Sequence, residues 1–80
     1  MIHVKFFASV RERIGIAELS LPLPEDGATV AEVLALVEGE AGVVLQGVHL
    51  LAAVNLRHAP FSDVVLDGDE VAFFPPVTGG

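Results

Sequence analysis

Asp67 to Gly80 reads DGDEVAFFPPVTGG, and the order of its residue types decides how the rest of the chain is read. Asp67-Gly68-Asp69 has turn chemistry, because Gly accepts positive φ and Asp bonds neighbouring backbone. Val71 to Phe74 then reads as a short apolar strand. Pro75 and Pro76 end it, since neither can donate to a sheet ladder, and a proline pair favours a stiff extended path. The division is a domain over residues 1–76 and a tail over 77–80, with Val77 to Gly80 expected to project into solvent. Two readings of that end stand open. Small terminal residues are common simply because chain ends fray. Alternatively, two residues without a β-carbon before a carboxylate can thread a narrow channel. A carboxylate is a poor electrophile, so it would accept a nucleophile only after activation, for example as an acyl-adenylate made with ATP by another protein.

Composition narrows the chemistry. Eighty residues, 52% hydrophobic, with no low-complexity run indicate one compact domain. A chain this short buries little more than about 60% of its unfolded surface, which leaves little room for an enclosed active site. No segment approaches the roughly 18 apolar residues of a membrane span, and Met1 leads into strand-like IHVKFFA without a leader-type charged region, so a cytoplasmic location is the expectation. There is no Cys, which excludes disulfides, thiolate metal sites and side-chain sulfur carriage. Four basic residues against eleven acidic ones give a net charge of -7, opposite in sign to a phosphate-backbone binder. Nucleic acid and membrane are therefore not expected partners. The acidity serves solubility or complements a basic protein surface, and the sequence does not separate the two.

Working outward from the tail, the other end of the chain matches it. Ile2, Val4 and Phe6 alternate with His3 and Lys5, the period of a strand with one face on a core. Phe7 breaks the alternation by placing an aromatic on the face of His3 and Lys5. Ser9 and Glu12 then have the spacing of a capping box for a short helical turn carrying Val10 and Ile14 and closed by Gly15. Glu18 to Leu23 alternates again but contains Pro22, which predicts an edge strand. After the loop PEDG, Thr29 and Glu32 form a second capping box. Val30, Val33, Leu34 and Val37 make the stripe of an amphipathic helix. Gly39, Gly42 and Gly47 punctuate the following stretch, where AGVVLQG allows one more helical turn. His49 to Val54 suits a buried strand, Asn55 a turn, Leu56 to His58 a short strand, and Asp63 to Leu66 a crossing to the last strand.

One amphipathic helix across a mixed sheet of four to five strands is an α+β layer arrangement, the β-grasp, with first and last strands parallel in the middle. Phe7 and Phe74 each end a strand with parity opposite to its core residues (Phe6; Val71 and Phe73). They are expected to meet on the uncovered face, at the root of the tail, as an exposed aromatic patch of the kind enriched at interfaces. Other candidate chemistry is thin. His3, His49 and His58 are dispersed and lack the spacing of metal ligands. Glu25-Asp26 and Asp67, Asp69, Glu70 are explained by turns and solvation, and Ser9, Ser20 and Ser62 lack a nucleophile context. No self-contained active site is expected.

The stretches FFASVRE (6–12), LAAVN (51–55) and DGDEVAFFPPVTGG (67–80) together resemble the MoaD family, the small sulfur-carrying subunits of molybdopterin synthase, which are ubiquitin-like β-grasp proteins. The resemblance spans essentially the whole chain, with little signal from Gly39 to His49. It implies that Gly80, threaded together with Gly79, is adenylated by an ATP-using, ubiquitin-activating-like (MoeB-like) enzyme and converted to a thiocarboxylate. No permanently bound cofactor is implied. The tail would then enter a MoaE-like large subunit, which holds the catalytic groups and sulfurates a cyclic pterin precursor within a heterotetramer. Phe7, Phe74, Pro75, Pro76, Val77 and Thr78 would be partner contacts. Related carriers serve thiamine synthesis or protein modification, and a β-grasp module with an unmodified tail is the remaining alternative.

Overall fold

The structure is a computed structural model that describes residues 1–45 and 49–76. Seven strands and two helices follow in the order β1 (Ile2–Phe6), α1 (Ala8–Ile14), β2 (Glu18–Leu21), β3 (Ala28–Thr29), α2 (Val30–Ala41), β4 (Leu51–Val54), β5 (Arg57–Ala59), β6 (Val64–Val65) and β7 (Glu70–Phe74). The main sheet has the order β2-β1-β7-β4-β5. The two ends of the chain meet at its centre, where β1 and β7 run parallel with Val4 opposite Val71 and Phe6 opposite Phe73. Every other pairing in this sheet is antiparallel.

The alternating pattern of the sequence becomes the two faces of this sheet. Ile2, Val4, Phe6, Val71 and Phe73 are buried, and α2 lays Val30, Val33 and Val37 against them with Leu34 at the margin. Phe6 and Phe73 stack at 6.5 Å, and Phe61, from the segment that crosses to β6, adds a third ring at 6.2 Å from Phe73. Val10 and Ile14 of α1 close the same core.

The main helix starts where its capping box lies. Thr29 Oγ1 accepts from Glu32 N–H, and Glu32 Oε1 accepts from Thr29 N–H. The next two free N–H groups are satisfied by the crossing segment, Val30 donating to Asp63 O and Ala31 to Phe61 O. Gly39 does not interrupt the helix, which runs on to Ala41. It stops at Gly42 in the left-handed region, with the Gly42 and Val43 N–H groups both on Glu38 O. Beyond it, residues 43–45 are irregular, so no further helical turn forms there; residues 46–48, including Gly47, lie outside the described residues.

The short helix departs from its predicted cap. Ser9 is inside α1, the N-cap is Phe7, and no side chain caps it. The reason is that the sheet ladder reaches Phe7, whose N–H donates to Phe73 O, and the chain reverses at once through Ala8 at φ 52°. Phe7 O is thereby already placed to accept from Val10 and Arg11, ahead of Ser9. Gly15 closes the helix in the left-handed region as expected.

Two further contacts tie the periphery down. The β4–β5 hairpin turns on Asn55 and Leu56, both at positive φ, the geometry of a type I′ turn. Asn55 also reaches β7: its N–H donates to Glu70 O, its Oδ1 accepts from Glu70 N–H, and its Nδ2 donates to Asp69 Oδ1. Asp69 Oδ2 accepts from Leu66 N–H, and these bonds, the Leu66 one foremost and the Asn55 amide second, hold the Asp69 carboxyl below its ordinary pKa. Gly27 makes the second tie. A β-carbon there would lie 2.4 Å from Val65 O and 2.9 Å from Leu66 Cδ2, and its φ is +81°. Only glycine lets the PEDG loop pass under β6, which pairs with β3 as a small separate sheet that the sequence pattern had presented as a plain crossing.

The two glycines in contrasting settings should respond oppositely. Gly27→Ala is expected to lower the unfolding free energy by about 2–4 kcal/mol, an overpacking cost added to a left-handed one. Gly39→Ala, in a helix with nothing within 4 Å of its added methyl, should raise it by about 0.5–1 kcal/mol. Urea unfolding of both measures the pair.

Asp69 sets an acid limb. Its folded-state pKa is depressed, so its contribution is present above the unfolded value and is lost as pH falls through the folded one. The stability gap between wild type and Asp69→Asn should therefore narrow steadily when urea melts are repeated from neutral pH down to the acid side of the carboxylate range. A gap independent of pH would show that the carboxylate charge contributes nothing.

Candidate functional site

The face of the main sheet opposite α2 carries no covering element among the described residues, and it divides into two halves. At the end where β1 and β7 begin, the half is polar: His3 lies 3.7 Å from Glu18 and 3.4 Å from Ser20 Oγ, and Lys5 Nζ lies 2.8 Å from Glu70. The hydrogen bond and charge of Glu70 raise the Lys5 pKa, so the ammonium stays charged and its field is cancelled locally. At the other end, where β7 gives way to Pro75 and Pro76, the half is apolar.

That apolar half is built by register. Phe74 pairs with Leu51, and Ala72 pairs with Ala53, which in turn pairs with His58. Phe7 continues β1 in extended conformation and is 49% exposed. The two phenylalanines therefore share the strand ends and the uncovered face, as parity requires. The ring packed against Phe74, however, is not that of Phe7 but the imidazole of His58, edge-on at 5.4 Å and reached past the small Ala53. Phe7 stands on the opposite flank of β7. Beyond it the Phe6 N–H donates to Ala17 O, and the neighbouring Ile16 is 43% exposed. The result is an apolar row across the sheet end, Ile16, Phe7, Phe74 and Leu51, with His58 at its far side.

Of the residues singled out from sequence, Phe7, Phe74, Pro75 and Pro76 are thus brought together at the root of the tail, the last two half-buried beyond β7. Val77, Thr78, Gly79 and Gly80 lie outside the described residues. Ile16, Leu51 and His58 were missed. Ile16 could have been found by counting the period of two backward from Ser20 and Glu18, and Leu51 by pairing the LAAV run with VAFF. His58 reads from sequence only as one of three dispersed histidines without metal-ligand spacing, because only the sheet order places its ring on Phe74. Among the described residues, no group of His, Asp and Glu is arranged to hold a metal, and no helix is long and apolar enough to cross a membrane.

A mixed five-stranded sheet with the chain's first and last strands parallel in the centre, one principal helix on one face and a proline pair directly after the last strand defines a ubiquitin-like β-grasp protein. The model of the ThiS family matches residues 4–80, and the chain belongs to that family. Two relatives match it over the full length of both chains: the molybdopterin synthase sulfur carrier subunits of Escherichia coli, 44% identical, and of Haemophilus influenzae, 43% identical. Among solved structures, the crystal structure of SAMP1 from Haloferax volcanii superposes with a TM-score of 0.83 at 27% identity, covering 99% of this chain and 98% of that one.

Adjacent phenylalanines separate the fold from the surface. Phe73→Ala should cost about 3–5 kcal/mol, the usual loss for a fully buried ring. Phe74→Ser should keep the circular dichroism spectrum and cost no more than about 1 kcal/mol, the scale of one lost aromatic contact. Thermal melts of the two variants give the comparison, and equal losses would place Phe74 in the core.

Proposed function

We propose that this chain is the sulfur carrier subunit of molybdopterin synthase. The observation that carries the reading is the combination of full-length identity to two such subunits with an apolar, uncovered sheet end at the root of a Pro-Pro-Val-Thr-Gly-Gly tail. In this reading the sheet end docks and the tail delivers. An oxygen of the Gly80 carboxylate attacks the α-phosphorus of ATP on an adenylating partner, and pyrophosphate leaves. Sulfur at the sulfide level, released as hydrosulfide by a donor, then attacks the Gly80 carbonyl carbon, AMP leaves, and the product is a thiocarboxylate. Such a group explains how a chain without Cys carries sulfur. Because the cycle draws on ATP, it belongs in the cytoplasm.

The carrier next docks on a large subunit, with Phe7, Phe74, Pro75 and Pro76 as the shared contacts and Val77 and Thr78 leading Gly79 and Gly80 inward. The large subunit supplies the catalytic groups and transfers two sulfurs, one from each of two thiocarboxylated carriers, to a cyclic pterin precursor to form the dithiolene, each Gly80 returning to a carboxylate. Docking on a preformed sheet end requires little reordering of this chain, and the proline pair limits the freedom that the tail must lose. The alternative of a protein-modifying carrier finds some support in the likeness to a small archaeal modifier protein. The higher identity to the two synthase subunits favours the pterin route.

The test is the intact mass of the purified chain incubated with ATP, the activating enzyme and a sulfur donor. The expected result is an increase equal to sulfur replacing one oxygen, located on Gly80 by fragmentation and absent when Gly80 is removed or followed by an added Ala. A chain that stays unmodified under these conditions, with the enzyme active on a known carrier, would overturn the proposal.

A further inference from the structure

Beside the apolar row lies a cleft of about 460 Å³ at the junction of α1 and β2, lined by Ala8, Arg11, Glu12, Gly15, Ile16 and Ala17. Its walls are small side chains apart from Ile16, which it shares with the row, and the two charged residues. Arg11 is the unusual member. The chain carries eleven Asp and Glu residues and only four Lys and Arg residues. Even so, the Arg11 guanidinium makes no hydrogen bond or ion pair with any described residue, whereas Lys5 is paired with Glu70. A guanidinium is a planar fork of donors matched to a carboxylate, and here the fork is exposed and unused.

We infer that this cleft receives an acidic side chain, with an apolar neighbour, from a loop of the large subunit that accepts the tail. The inference rests on the carrier reading above and adds a determinant of docking register to it. Three observations support that occupant. The guanidinium fits a carboxylate in bidentate fashion. Glu12 on the same wall opposes a multiply charged phosphate group but tolerates one carboxylate neutralised by Arg11. Ile16 makes the cleft continuous with the row, so a loop crossing from the row meets the cleft next. Since the chain as a whole is strongly acidic, an acidic partner loop finds an attractive charge beside the row at Arg11, whereas Arg13 and Arg57 line no part of the cleft, and the contact therefore specifies orientation as well as adding affinity.

Arg13 supplies an internal control. It is on the same helix, is also exposed and has no hydrogen-bond or ion-pair partner among the described residues, but it projects roughly 200° around the axis from Arg11. Arg11→Glu and Arg13→Glu have the same net charge, so long-range electrostatics act on both alike. Binding of each full-length variant to the purified large subunit is measured by titration calorimetry at low and at moderate salt, after circular dichroism confirms folding.

Arg11→Glu is expected to weaken binding about tenfold or more and Arg13→Glu less than about twofold. Arg11→Ala, which avoids a new negative charge near the end of α1, should weaken it several-fold and flatten the salt dependence. Equal losses for the two reversals, or none, would overturn the inference while leaving the carrier reading intact. Unchanged large-subunit binding with slower adenylation of Gly80 in Arg11→Glu would also overturn it, assigning the cleft to the activating enzyme. Failure of the wild-type chain itself to bind the large subunit would overturn both.

Discussion

The parallel pairing of β1 with β7 is the constraint on which the remaining structure depends. It joins the beginning of the chain to its end, so every other element is placed between two strands that are neighbours in space and remote in sequence. A parallel pair cannot be closed by a tight turn, and the intervening chain must cross over a face of the sheet. The amphipathic helix provides that crossing and buries the face it covers. The same pairing brings the Phe7 corner and the Phe74 strand end together, so the geometry that completes the core also positions the surface at the root of the tail.

Parity divides these roles between adjacent residues. Phe6 and Phe73 fill the core, whereas Phe7 and Phe74, one step further, face outward. A slip of β1 by one residue against β7 would turn Ile2, Val4 and Phe6 outward and bury His3, Lys5 and Phe7 under α2, at the cost of desolvating the Lys5 charge. The register is therefore fixed strongly by the core, and the outward aromatics inherit a definite position without contributing much to stability. The hydrogen bonds from Asn55 to Asp69 and Glu70 fix the neighbouring β4–β7 register at the end where β7 begins.

Most of this arrangement was legible from local pattern. The alternation of Ile2, Val4 and Phe6, the Thr29–Glu32 capping box and the Pro22 break each act through neighbouring residues, and each appears in the structure as read. What escaped depends on contacts between distant segments. Ser9 and Glu12 had correct capping spacing, but the ladder at Phe7 and the reversal at Ala8 start the helix earlier. Gly39 resembles a helix terminator in isolation, yet packing of Val33 and Val37 carries the helix past it. The β3–β6 pair is two residues long on each side and has no periodicity to detect; its necessity shows only in Gly27, whose missing β-carbon makes room for Val65 and Leu66. The site divides in the same way. Phe7 and Phe74 follow from parity within their own strands, while His58 joins them only through the order of strands in the sheet.

Charge placement completes the argument about how so small a chain can be specific. The polar half of its uncovered face carries Lys5 with its charge met by Glu70, leaving the apolar row to provide contact area. Apolar contact alone discriminates weakly among partners, since any complementary greasy surface satisfies it. Discrimination then has to come from charges at the margin of the row, where the unpaired Arg11 guanidinium rewards one local arrangement of partner charge and the acidic balance of the chain penalises most others. Such a division suits a carrier: the apolar row can remain modest in area, and hence reversible, if orientation is enforced by a few charges at its edge.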